Sequence, residues 1–159
     1  MVKLFPYAAL IAIAVAGSAH ASAALTLNFA DTKNMTDVPR YQADREIMEE
    51  QFRELFDTLS SRLPAGQQLK VDIIDVDLAG EVFPRVAIQN VRVMNGRTDP
   101  PRIELRYSIE QDGKVLGSGE RKLVNYGYQH GFNSDSDEVF SHEKQLIKDW
   151  FHKEFRVPR

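Results

Sequence analysis

The sequence predicts an α+β fold: one mostly antiparallel sheet of about five strands, with two amphipathic helices packed on one face. Three observations carry that expectation. Ile47, Met48, Phe52, Leu55, Phe56, Leu59 and Leu63 recur at helical spacing over 43–63. Several segments alternate apolar and polar residues, and two of them meet at Gln111-Asp112-Gly113. A second helical stripe, Leu146, Ile147, Trp150, Phe151 and Phe155, closes the chain.

The N-terminus reads as an address. Lys3 precedes an apolar run over 4–16, and Ala19-His20-Ala21 and Ala21-Ser22-Ala23 both offer the small-x-small pattern of signal peptidase. Residues 1–21 are therefore expected to be a signal peptide, cleaved after Ala21 or Ala23, and 22–159 a single α+β domain in the periplasm or outside the cell. The run is about 13 residues against the roughly 20 of a membrane span, so stable insertion after cleavage is not expected.

Composition narrows the chemistry. The chain has 159 residues and no cysteine, which excludes disulfides, thiol catalysis and cysteine-ligated metals. Twenty Lys+Arg against 23 Asp+Glu leave a net charge of -3, and nothing points to nucleic acid. Acidic residues gather over 44–57 and arginines over 85–106, either to complement each other in the fold or to steer a charged ligand.

Leu25, Leu27 and Phe29 suggest a first strand, and the 43–63 helix is stopped by Pro64 and Gly66. The first strand–helix–strand unit suits a crossover joining parallel strands. Over 68–78 the apolar positions change phase between Ile73 and Ile74, which predicts a β-bulge there. The bulge would put Asp72, Asp75 and Asp77 on one side. A weaker strand is expected over 86–94. In the hairpin, a three-residue loop pairing Glu110 with Lys114 keeps one face dry and sets Gly117 and Gly119 beside the apolar row, with room for an aromatic ring. Residues 125–137 form a long connection, and the last helix is expected over 141–155.

Candidate sites are few. Asp75 and Asp77 are candidate ligands for a hard cation, although the alternative is an ordinary solvated strand face. His130, His142 and His152 match no ligand spacing; the last two lie about 80° apart on their helix. No phosphate loop, dinucleotide fingerprint or nucleophile elbow occurs. Tyr126, Tyr128, His130 and Phe132 would share one side of an extended segment, forming a ligand platform or, alternatively, capping the sheet beneath the last helix. Arg102, Glu104, Arg106, Glu120 and Lys122 form a charged outer face of the hairpin, a candidate interaction surface.

Four segments carry a family resemblance: Ala43-Asp44-Arg45-Glu46, Asp75-Val76-Asp77-Leu78-Ala79-Gly80-Glu81, Pro101-Arg102-Ile103-Glu104-Leu105-Arg106-Tyr107 and Lys148-Asp149-Trp150-Phe151. With them the chain resembles the bacterial domain-of-unknown-function 3016 family. The resemblance implies a short exported envelope protein and brings no activity, cofactor or catalytic residue.

The expectation is a non-enzymatic envelope binding or accessory protein that uses no cofactor, its partner an envelope protein or a small ligand. One alternative is a metal-assisted hydrolase using Asp75 and Asp77. Another is a purely structural or stress-related envelope protein.

Overall fold

The computed structural model describes residues 23–82, 92–130 and 138–158. Among the described residues, the strands and α-helices are strand β1 (Ala24–Phe29), helix α1 (Gln42–Ser60), strands β2 (Gln67–Asp77), β3 (Glu81–Val82), β4 (Arg92–Val93), β5 (Arg102–Gln111) and β6 (Lys114–Val124), and helix α2 (Ser141–Phe155). The main sheet has four strands in the order β1-β2-β5-β6, with β1 parallel to β2 and the other neighbours antiparallel.

Helix α1 lacks a side-chain cap at Tyr41, but Asp44 complements the dipole of its first turn. Arg45 donates to the carbonyls of Pro39 and Arg40 at 3.0 and 2.7 Å, anchoring the helix start. The helix ends at Ser60, earlier than its apolar stripe suggested. Pro64 disfavours helical geometry at the residue before it, and the chain tightens through Leu63 N–H to Ser60 O at 2.9 Å. Leu63 stays buried in that turn.

Both helices cover the same sheet face. Met48, Phe52 and Phe56 from α1 meet Ile147 and Phe151 from α2 over Leu69, Val71, Ile73, Ile103 and Leu105 of the sheet, all without solvent contact. Trp150 sits edge-to-face with Phe56 at 6.2 Å and Tyr107 at 5.5 Å. Each such ring or branched side chain contributes about 1.5–3 kcal/mol by leaving water.

The bulge lies where the apolar phase changes. Ile73 pairs with Leu105 and Asp75 with Glu104, leaving Ile74 as the extra residue. Asp72, Asp75 and Asp77 consequently stand opposite Arg106, Glu104 and Arg102 on the face the helices leave bare.

Two expectations are corrected. The hairpin loop has two residues, not three: Gln111 pairs with Lys114, and Asp112 and Gly113 both take left-handed geometry, φ 53° and 74°. Leu116 is then extruded between the pairs Glu110–Val115 and Ile109–Gly117. That second bulge resolves the conflict of a two-residue loop, which would otherwise set the apolar row against a charge. Tyr107 faces Gly119, whose missing side chain leaves space for the ring, and Arg106 and Glu104 face Glu120 and Lys122.

Of the strand expected over 86–94, the described part is extended at Arg92–Val93, which pairs with Glu81–Val82 in a separate ribbon rather than with the main sheet. Gly80 causes the departure. At φ +72° it turns the chain away from β2, and a Cβ there would stand 2.4 Å from the Val93 carbonyl oxygen. Residues 83–91 lie outside the described ones.

Candidate binding face and acidic cleft

The uncovered sheet face is a lattice of charges set by register. One row runs Asn28, Asp72, Arg106, Glu120 across β1, β2, β5 and β6. Asn28 donates to Asp72 at 2.9 Å, and Arg106 reaches Glu120 at 3.1 Å. The next row holds Asp75, Glu104 and Lys122, with Lys122 2.7 Å from Glu104. The hydrogen bond that Lys122 donates to Glu104 holds its ammonium above the ordinary range. The candidate interaction residues Arg102, Glu104, Arg106, Glu120 and Lys122 thus share one surface.

The third row leads into a cleft. Arg102 and Asp77 form an ion pair at 2.5 Å, and Asp77 is only 7 % exposed. Beside it, the chain after β1 returns to the sheet: Asp37 bridges Asp77 in parallel, donating to Val76 O at 3.0 Å and accepting from Leu78 N–H at 3.1 Å. The resulting open cleft has a volume of about 530 Å³. Four carboxylates line it, from Asp37, Asp77, Glu81 and Asp99. Val82, Asn95 and Thr98 complete the wall.

Two guanidiniums partly balance that charge. Arg102 takes Asp77, and Arg92 takes Asp37 while also donating to the carbonyls of Ala79 and Leu78 at 2.8 and 3.1 Å. Burial pushes the Asp77 carboxyl above the usual aspartate range against the pull of Arg102, and the nearby charges of Asp99 and Asp37 push the same way. The four carboxylates and two guanidiniums leave a net negative cleft.

Beneath the wall lies a buried acid that sequence reasoning left without a role. Glu143, 3 % exposed in the first turn of α2, accepts the Ala79 N–H at 2.7 Å. Burial raises its carboxyl above the ordinary glutamate range. Asp37 and Asp99 were also missed, because they lie in turn-like segments far from Asp77 in sequence. The alternating Asp75-Val76-Asp77 run was the visible signal; its partners come from the fold.

Asp75 and Asp77 do not converge. The Asp75 carboxylate accepts from Thr36 N–H and Oγ1, both at 2.7 Å, whereas Asp77 turns to Arg102. Among the described residues, no three side chains of metal-ligating type gather around one point. No histidine lines the cleft among those residues.

The described part of the aromatic segment is folded, not extended. Tyr128–His130 forms a 3-10 turn, with Tyr128 buried edge-to-face against His142 at 4.8 Å. Tyr126 and His130 are exposed, and Gln129 donates to Met94 O at 3.0 Å, tying this turn to the end of β4. Tyr128 therefore offers no open ring, and Phe132 lies outside the described residues.

A family model described as a protein of unknown function, DUF3016, matches residues 23–153. No protein of curated function matches the chain. Among solved structures, the chain is similar to a Xanthomonas campestris protein assigned to a different family model, DUF330. The two are 14% identical, with 85% of this chain and 81% of that one covered and a TM-score of 0.37.

Proposed function

We propose that this chain, which belongs to the DUF3016 family, is an exported accessory protein of the cell envelope that works by binding rather than by catalysis. The observation that carries the reading is continuity. The bare charged sheet face runs without a break, through the Asp77–Arg102 pair, into the open acidic cleft. Cross-strand pairs already position the side chains of the sheet face, and Arg102 and Arg92 hold Asp77 and Asp37 of the cleft, so a partner would meet a preformed polar surface. A cleft of this volume takes one small ligand or one side chain. Its net charge and polar walls favour a cationic group, such as the lysine or arginine of a basic segment, over an apolar one.

Export rests on the sequence pattern over 1–23, and no helix among the described residues is long and apolar enough to cross a membrane. Ala23 packs against the core and β1 starts at Ala24, which favours cleavage after Ala21 over cleavage after Ala23. N-terminal sequencing of the chain recovered from the periplasm should begin at Ser22. Recovery of an uncleaved chain from the cytoplasm would refute export.

The binding reading is tested by thermal shift against a short lysine-rich peptide, an acidic peptide of equal length, and divalent cations with a chelator control. At about 100 times its dissociation constant a ligand adds about 2.7 kcal/mol, a shift of several degrees. The reading expects the basic peptide to raise Tm and the acidic one not to. A shift with a divalent cation, abolished by chelator and by Asp77→Asn, would instead favour the metal-dependent alternative.

A further inference from the structure

Strand β6 is eleven residues long and, among the described residues, has a strand neighbour on one side only, β5. The opposite edge strand, β1, has six residues. Open edges of this length invite pairing, and proteins commonly blunt them with lysines and bulges. Lys114, Lys122 and the bulge at Leu116 are such features. Yet the residues along this edge do not repel every partner. Exposed apolar side chains remain at both ends, Leu116 at 51% and Tyr126 at 56%.

The order of charges decides what fits. Consider two copies of β6 laid antiparallel about a twofold axis through Arg121. Glu120 of each then faces Lys122 of the other, and Ser118 faces Val124. Leu116 in the bulge comes opposite Tyr126, just beyond the strand end. Moving the axis by one residue sets Glu120 against Glu120, or Lys122 against Lys122. Opposite charges across strands are favourable and like charges unfavourable, so the edge is self-complementary in one register and self-repelling in the two adjacent ones. At the axis each Arg121 is already neutralised by Glu154 of its own chain, at 2.8 and 2.9 Å.

We propose that β6 is a homodimer interface, pairing antiparallel with β6 of a second copy about Arg121 to continue the four-stranded sheet across both copies. The charged row then alternates across the junction: Asp72, Arg106 and Glu120 of one copy, followed by Lys122 and Glu104 of the other. Pairing joins the two bare faces into one surface, with an acidic cleft on each copy. The inference is independent of what the cleft binds.

The test is sedimentation of the full exported chain, its Lys122→Glu and Glu120→Lys variants, and an equimolar mixture of the two. The replaced side chains belong to exposed ion pairs, so the fold should persist, with unchanged circular dichroism. Wild type should dimerise reversibly, and each variant alone should dimerise at least about tenfold more weakly. The mixture should restore the dimer, because the two variants present opposite charges at both positions. A wild type that stays monomeric at about 100 μM, or a dimer indifferent to both substitutions, would overturn the proposal.

Discussion

Glu143 in the first turn of α2 accepts the backbone N–H of Ala79 at 2.7 Å, across 64 residues of sequence. This one bond ties the terminal helix to the wall of the acidic cleft. On the other side of the same wall, Arg92 donates to the Ala79 carbonyl at 2.8 Å. The Leu78–Gly80 segment is therefore clamped from both sides, which fixes where β3 and β4 leave the sheet.

Removing the clamp separates charge from hydrogen bonding. Glu143→Ala leaves a buried N–H without its acceptor and should cost about 1–3 kcal/mol. Glu143→Gln keeps an acceptor oxygen and should cost far less. The pH dependence follows from the direction of the shift. Burial raises the folded-state pKa above the ordinary 4.5, so the group's stabilising contribution is complete below that value and is lost as pH rises through the raised one. Chemical denaturation across that window should show a smaller decline for Glu143→Gln than for wild type.

Glu154 titrates in the opposite sense. Its carboxylate accepts from Arg121 Nε and Nη2, at 2.9 and 2.8 Å, and from the Tyr107 hydroxyl. The Arg121 bonds are the main cause that holds it below the ordinary 4.5. Its contribution is present above 4.5 and is lost as pH falls through the lowered value. Glu154→Gln should lose about 1–3 kcal/mol near neutral pH and show a shallower acid transition, measured by denaturant titration at stepped pH.

Gly80→Ala should unseat the β3–β4 ribbon. The substitution places a Cβ 2.4 Å from the Val93 carbonyl oxygen at a positive φ of +72°. Strain of this kind costs about 1–3 kcal/mol. Amide hydrogen exchange should rise around Gly80 and Val93 while the main-sheet core stays protected. Unchanged exchange at both sites would show that the close approach is not needed.

The apolar periodicities made the main sheet and both helices readable from sequence. The phase change at Ile73–Ile74 located a bulge because a two-residue alternation cannot switch faces without an extra residue. The Leu116 bulge left no such mark, since Val115 and Leu116 are both apolar and both exposed. The loop length was misread for that reason. The cleft was legible only at Asp77. Asp37 arrives through a parallel bridge and Asp99 through the chain beyond the ribbon, and no local pattern encodes either approach.

The most direct measurement of the binding account is calorimetric titration of a lysine-rich peptide into wild type, Asp99→Asn and Glu81→Gln. Both substitutions remove charge from the cleft, and Asp99→Asn keeps the backbone bond from Gly80 N–H to its carbonyl at 3.2 Å. The account predicts saturable binding by wild type, weakened by each substitution and by added salt. Equal affinity in all three proteins, or no heat of binding in wild type, would contradict it.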